Sequence, residues 1–516
     1  MTDPMMNRRD AMSVLAGLAA LGFAPALAQT PERVGLTLGS GTAFDAGIVA
    51  AKAQALAAAP YAAPAPVAQD WLDLTYDQYR EIWFDTRHSL YRDTEGAVQA
   101  EFFPAGLFFN SKIAINAVDK GMARPVMFEM RVFDTTDRFP KLAEGGNGFS
   151  GFRLLGELEA AGQFQEYAVF QGASYFRAIG KGQYYGLSAR GLALNTASGG
   201  PEEFPVFREF WIESAEPGAP TAVVHALLDS PSVAGAYKFT ITKGETTLIE
   251  VQAKVYPRIA LDQVGIATGT SMFLFNDMNR TKFDDFREAV HDSDGLLMLN
   301  GAGESLWRPL TNPAALEVST FSDTSPRGFG LMQRARGIGE YNDLVARYER
   351  RPSLWVEPMG DWGTGSVILV EIPTDKEIND NIIAFWRPTA PLEPGMMHAF
   401  DYRLHWCALG PAEGSVARVI ASRTGARVFE EGRIFTVDFE SHPALGDDPT
   451  QIEVRTFTSS GEVMNPLLQA NPATGGMRLD VTLRGNADRA SELRAELWRG
   501  GVRVSEVWLY RWVAEA

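Results

Sequence analysis

From about Trp71 onward the chain consists largely of short runs of β-branched and aromatic residues, several of them alternating apolar with polar. Tyr76–Phe84, Val98–Phe103, Leu107–Phe109 and Pro125–Phe133 come first. The same style continues through Ala222–Leu228, Tyr237–Ile241, Thr247–Val255 and Ser366–Ile372. Period-two alternation broken by Gly or Pro predicts half-buried strands joined by turns. Stretches of helical period are few. The clearest is the Ala-rich segment 43–59, which Pro60, Pro64 and Pro66 bring to an end. Strands that do not alternate with helices fit a parallel α/β fold badly and a large antiparallel sandwich well.

The segment Arg387-Pro388-Thr389-Ala390-Pro391-Leu392-Glu393-Pro394-Gly395 is the strongest punctuation in the chain. Its prolines predict a stiff connector. We therefore expect a large β-sandwich over 34–387, a linker over 388–397 and a second, smaller sandwich over 398–516. After the connector, His398–Leu409, Gly432–Phe439, Met477–Leu483 and Val502–Trp512 again read as strands. About seven short strands in that length suit an immunoglobulin-like sandwich.

The N-terminus follows a different rule. Asn7-Arg8-Arg9-Asp10 precedes an apolar run, Ala11–Leu27, that ends in Ala26-Leu27-Ala28. A positive start, a short apolar stretch and an A-x-A site predict an export signal over 1–28, cleaved after Ala28. The paired arginines point to the twin-arginine route and so to a periplasmic protein. Arg8 and Arg9 balance Asp3 and Asp10, so cleavage leaves the net charge unchanged.

Composition narrows the function classes. At 516 residues with 46% hydrophobic and 22% charged positions, the chain is an ordinary globular one with room for more than one domain. Its 64 acidic against 47 basic side chains give −17, the wrong sign for a nucleic-acid binder. One cysteine, Cys407, cannot form an internal disulfide, and the six histidines make no close pair. Neither a thiolate zinc cluster nor a His-based catalytic zinc site is supported, and we expect no metal and no cofactor.

Three polar segments interrupt the apolar β pattern. In Arg287-Glu288-Ala289-Val290-His291-Asp292-Ser293-Asp294-Gly295 the Gly follows the second Asp of Asp-Ser-Asp directly, so the EF-hand register fails. The segment reads either as a solvated turn or as Asp292 offered from a loop to a cleft, with His291 and Ser293 as hydrogen-bonding neighbours. In Thr374–Ile383, Asp380 stands between two amides at the edge of an apolar run. A carboxyl at such an edge can lose part of its hydration, which pushes it towards general-acid use. The third segment, Arg347–Trp355 followed by Gly360-Asp361-Trp362-Gly363, suits sugar stacking and β-sandwich packing equally.

These segments also carry a resemblance. Gly172–Ala178, Tyr185–Ala193, Glu202–Pro205, Phe210–Glu213, Thr268–Phe273, His291–Ser293, Trp307–Leu310, Gly328–Leu331 and Asn379–Ile382, in that order, resemble the periplasmic osmoregulated glucan biosynthesis protein G/D family. The resemblance runs from about residue 34 to the C-terminus. The twin-arginine signal is more like the D branch than the G branch.

The resemblance implies an all-β protein, with a large N-terminal mutarotase-like β-sandwich and a small C-terminal immunoglobulin-like one. It implies action on β-1,2-glucan as an anomer-inverting endo-glucanase, a glycoside hydrolase. The alternatives are a transglycosylase forming modified or cyclic glucan, and a non-catalytic scaffold for an inner-membrane glucan synthase. It also suggests a homodimer. Carried over by motif, Asp380 is the general acid and Asp292 the general base, acting on the attacking water directly or through other waters. Tyr348, Glu377, Arg351 and Trp355 fall in matching segments and are assigned to substrate binding or relay. As the acid, Asp380 is expected to be the more buried of the two carboxyls.

Overall fold

The computed structural model describes residues 34–513 apart from 95, 97, 143–144, 217, 412–413, 429–430 and 486–489. The export signal expected over 1–28 lies outside the described residues. The chain is all-β and divides into two compact units. One comprises the residues up to Thr268 together with Trp386–Trp406, the other Gly269–Phe385 together with Cys407 onward.

In the first unit, one sheet runs in the order Thr42–Ala43, Met122–Pro125, Ala114–Asp119, Val206–Glu213, Thr221–Asp229, Val233–Thr242, Thr247–Pro257 and His398–Cys407. Its neighbours are antiparallel except Val206–Glu213, which lies parallel to Ala114–Asp119. Thr247–Pro257 shows why the sequence alternates: every second residue, from Thr247 through Ile249, Val251 and Ala253 to Val255, is buried, and the intervening ones are not. The strand that follows the Pro-rich segment pairs along this one from Thr247↔Trp406 to Val255↔His398.

A second sheet carries Val98–Pro104, Phe149–Glu157, Phe164–Gln171, Tyr175–Ala178 and Ser188–Arg190. Its rings meet those of the first. Phe152 lies 5.0 Å from Phe210, and Phe170 and Phe176 lie 5.2 and 5.1 Å from Phe239. Edge-to-face rings between two sheets make the unit a sandwich. The predicted helix spans Ala46–Ala57, capped by the Asp45 side chain on the Gly47 amide. It buries Val49 and Ala53 against Trp211, Leu227 and Ala236.

In the second unit, one sheet runs Ser353–Pro358, Gly328–Met332, Gly295–Leu299, Ser305–Pro309, Val507–Trp512, Ser491–Arg499 and Glu453–Thr458. The parallel step Leu306↔Val507 joins strands that lie far apart in sequence. A four-stranded sheet of Val419–Ala426, Arg433–Phe439, Met477–Arg484 and Glu462–Ala470 shares a core with it. Phe435, Val437, Leu479 and Val481 from the four-stranded sheet cluster with Leu297, Trp307, Trp355, Leu497 and Trp508.

Candidate active site

All the sequence-predicted site residues lie in the second unit. They are organised around a two-stranded ribbon, Phe273–Phe275 with Val290–His291, in which Phe273 pairs with His291. Asp292 follows the ribbon directly, and its backbone N–H donates to Met272 O at 2.8 Å. The loop carrying Asp380 joins the strands Thr364–Glu371 and Ile382–Pro388. It is closed at its base by Ile372 N–H donating to Asn381 O at 2.9 Å.

Two buried asparagines tie this loop to the ribbon. Asn381 accepts from Phe273 N–H through Oδ1 at 2.8 Å. Its Nδ2 donates to Phe273 O at 2.9 Å and to Ile372 O at 3.0 Å. Asn312 accepts from Thr374 N–H at 3.0 Å and donates to Leu274 O at 3.1 Å and Thr374 O at 2.7 Å. A carboxamide offers an acceptor and two donors on one rigid plane, so it satisfies strand-edge backbone groups that no further strand reaches. Asp292 and Asp380 are thereby referred to the same short backbone segment, Met272-Phe273.

A charged network continues from Asp292. Arg351 is ion-paired to the Asp292 carboxylate, and its guanidinium lies 4.1 Å over the Tyr348 ring. The Tyr348 hydroxyl donates to Glu377 Oε2 at 3.2 Å. Arg287 donates to the same Glu377 oxygen at 2.6 Å, to Asp343 at 3.1 Å and to Asp285 at 2.7 Å. Asp343 also accepts from the Val345 and Ala346 amides at 2.9 and 2.8 Å. That turn directs Ala346 O to Arg351 Nη2 at 3.1 Å, fixing the guanidinium that meets Asp292.

The charges shift as this geometry requires. The Arg287 hydrogen bonds hold the Asp285 carboxyl below its ordinary range. Burial pushes Asp343 up, but the two amides and Arg287 outweigh it and its value is also lowered. Arg287 is correspondingly raised, chiefly by its bonds to Asp285.

Space opens beside this network. A cleft of 400 Å³ is lined by Phe283, Asp285, Arg287, Lys376 and Glu377 among others. A groove of 1190 Å³ borders the Asp380 loop at Thr374, Asp375 and Asn379 and continues past Phe283 to Tyr510 and Trp512. Among the described residues no group of three or more His, Cys, Asp or Glu side chains is arranged to hold a metal ion.

The family model described as "Periplasmic glucan biosynthesis protein, MdoG" matches residues 44–512. The chain belongs to this family. It is 44% identical to "Glucans biosynthesis protein G" of Rhodopseudomonas palustris (strain BisA53), covering 98% of this chain and 100% of that relative. The protein of the same name from R. palustris strain ATCC BAA-98 / CGA009 is 45% identical over the same shares. That of Shewanella baltica (strain OS195) is 46% identical over 91% of this chain and 87% of its own. These relatives carry the G name, whereas the paired arginines had suggested the D branch.

Within this glucan biosynthesis protein, three expectations about side chains need correction. Asp292 is not offered to a cleft from a loop: it is 0% exposed, whereas Asp380 is half-buried, so the burial order of the two carboxyls is the reverse of that expected. Asp292 leaves a ribbon packed inside the unit and meets Arg351 there, whereas Asp380 sits on a connecting loop. Trp355 is a core residue, 2% exposed, and its ring lies so close to Gly328 that a Cβ there would meet it at 2.2 Å. A ring so enclosed has no face for a sugar. His291 and Ser293 bond inward. His291 Nδ1 meets Gln333 Oε1 at 2.9 Å, and Ser293 Oγ meets Ser271 Oγ at 2.8 Å.

Tyr348, Glu377 and Arg351 are brought together with Asp292. Sequence reading gave no role to Arg287, Asp343, Asn312 or Asn381. Arg287 stands among Asp284, Asp285 and Glu288, and a lone cation in an acidic run is the signal that could have marked it.

Proposed function

We propose that this protein acts in the periplasm on the β-1,2-linked backbone of glucans as an anomer-inverting endo-glucanase. Asp380 is the general acid and Asp292 the general base. The observation that carries this reading is the pair of asparagine clamps, which hold the Asp380 loop, at the margin of a groove of 1190 Å³, against the ribbon that leads into Asp292. A groove of that size accommodates several sugar rings.

In the reaction, Asp380 gives its proton to the glycosidic oxygen as the bond from that oxygen to the anomeric carbon breaks. Water attacks the anomeric carbon from the opposite face, and its proton passes to Asp292. Because Asp292 is wholly buried, that proton travels through intervening waters rather than by direct contact. Tyr348 and Glu377 are placed to orient such a relay, and Arg351 offsets the burial of the Asp292 charge.

Export by the twin-arginine route, a homodimer and delivery of glucan from an inner-membrane synthase belong to the same proposal. The complete burial of Asp292 favours a second reading, in which the chain holds nascent glucan without cutting it. Mass spectrometry of linear β-1,2-glucan incubated with the mature protein decides between them. Shorter linear chains support the hydrolase, and Asp380→Asn should abolish them while preserving binding. Products one water lighter than a linear chain indicate cyclising transfer. Bound but unchanged glucan establishes the scaffold.

A further inference from the structure

The first unit contains a partly enclosed cavity of 210 Å³ that the two candidate catalytic carboxyls do not line. Phe109, Tyr175, Phe204 and Phe207 supply rings to its wall, and Ser150 and Gln171 supply polar groups. Gln171 is 4% exposed. Its Nε2 donates to Ser150 Oγ at 3.0 Å, and Ser150 in turn donates to Pro104 O at 2.9 Å. The Gln171 Oε1 has no hydrogen-bond partner among the described residues. A buried acceptor left unpaired costs about 1–3 kcal/mol, so a donor from a ligand or water is wanted at that point.

The rings at the mouth are held in place. The Arg190 guanidinium lies 4.8 Å over Tyr175 and 5.3 Å over Phe204, and its Nη1 donates to Glu202 at 2.6 Å. Phe204 nonetheless keeps 41% of its surface open. None of the side chains lining the cavity is charged, which disfavours an anionic or cationic occupant that would have to be desolvated without a counter-charge. An acyl chain would match the rings and leave the amide oxygen unpaired. Water alone would pair the amide and leave apolar rings wetted.

We propose that this cavity is a non-catalytic binding site for a single neutral pyranose. Its C–H face lies on the aromatic wall, and a hydroxyl donates to Gln171 Oε1. The volume is below the roughly 300–1,000 Å³ of sites for drug-sized molecules, which limits the occupant to one ring. That the pyranose is a glucosyl unit of the same glucan rests on the function proposed above. The pocket chemistry does not.

The test is hydrogen–deuterium exchange of the full mature chain titrated with sophorose, the β-1,2-linked glucose disaccharide, on wild type, Gln171→Leu and Phe204→Ala. Glucan cleavage is assayed in parallel. Slowed exchange across Gln171–Phe176 is expected, with half-saturation rising at least tenfold in both variants. Phe204 is exposed, so Phe204→Ala keeps the test valid if Gln171→Leu fails to fold. No protection in wild type, as for a cavity holding only water, overturns the proposal. So does a half-saturation unchanged in both variants. Cleavage without protection removes the pocket and leaves the glucanase, whereas protection without cleavage does the reverse.

Discussion

The Asn381 side chain and the Phe273 main chain form a closed pair of hydrogen bonds, N–H to Oδ1 at 2.8 Å and Nδ2–H to C=O at 2.9 Å. The amide completes the strand edge as a neighbouring strand would, and it does so one residue after Asp380. Its neighbour in sequence is therefore placed by a side chain rather than by a sheet ladder.

Asn381→Ala leaves both Phe273 groups and Ile372 O short of a partner. At about 1–3 kcal/mol for each unsatisfied buried group, a loss of roughly 2–4 kcal/mol is expected in denaturant unfolding. Asn381→Asp keeps the acceptor and loses both donations, so it should fall between. If the function proposed here is right, Asn381→Asp lowers glucan turnover more than glucan binding. An Asn381→Ala protein that unfolds with wild type would show that the clamp contributes nothing.

Arg351 stands beside a carboxylate that is wholly buried. Arg351→Met removes the guanidinium and leaves the charge in place, a change that typically costs about 3–5 kcal/mol. Adding Asp292→Asn removes the stranded charge. The double variant should recover most of that loss, and the recovery, read from a double-mutant cycle, measures the pair. Additive single effects would mean that Arg351 acts on Asp292 hardly at all.

The β pattern was legible because it is local. Thr247–Pro257 alternates in sequence and in burial, and Asp45 with the prolines after 59 marks the ends of the helix. The grouping of the strands was not legible, because the Leu306↔Val507 step and the pairing of Thr247–Pro257 with His398–Cys407 depend on contacts between distant segments. At the site, motif resemblance located the segments but not the side chains. Sequence alone cannot tell a Trp that faces Gly328 from one that faces solvent. Nor can it show that Arg351, 59 positions from Asp292, neutralises it.

Asp285 and Asp343 give the site a definite acid response. Both carboxyls sit below their ordinary value near ~3.9, Asp285 through Arg287 and Asp343 through the Ala346 and Val345 amides and Arg287 acting against burial. The unfolded chain therefore binds more protons than the folded one at mildly acid pH. The stabilisation is fully present above about pH 5 and is lost as pH falls through the lowered folded values. Arg287→Met returns both groups towards ordinary values. Its melting temperature should be lower than wild type near neutral pH and should fall less steeply between about pH 5 and pH 3. Parallel curves for the two proteins would contradict this account.

Trp355 separates packing from recognition. Its ring is enclosed with Leu297, Trp307 and Met332 and lies against Gly328. Trp355→Ala should therefore cost about 3–5 kcal/mol as a core truncation, and Trp355→Phe less, because most of the apolar contact survives. Neither variant should change the affinity for β-1,2-glucan measured well below its melting temperature, because no face of the ring reaches solvent. A sugar-stacking role predicts the opposite: weakened glucan binding in Trp355→Ala at nearly unchanged stability. Calorimetric titration of the folded variants beside their thermal melts distinguishes the two, since a core residue moves the melt and a stacking residue moves the titration.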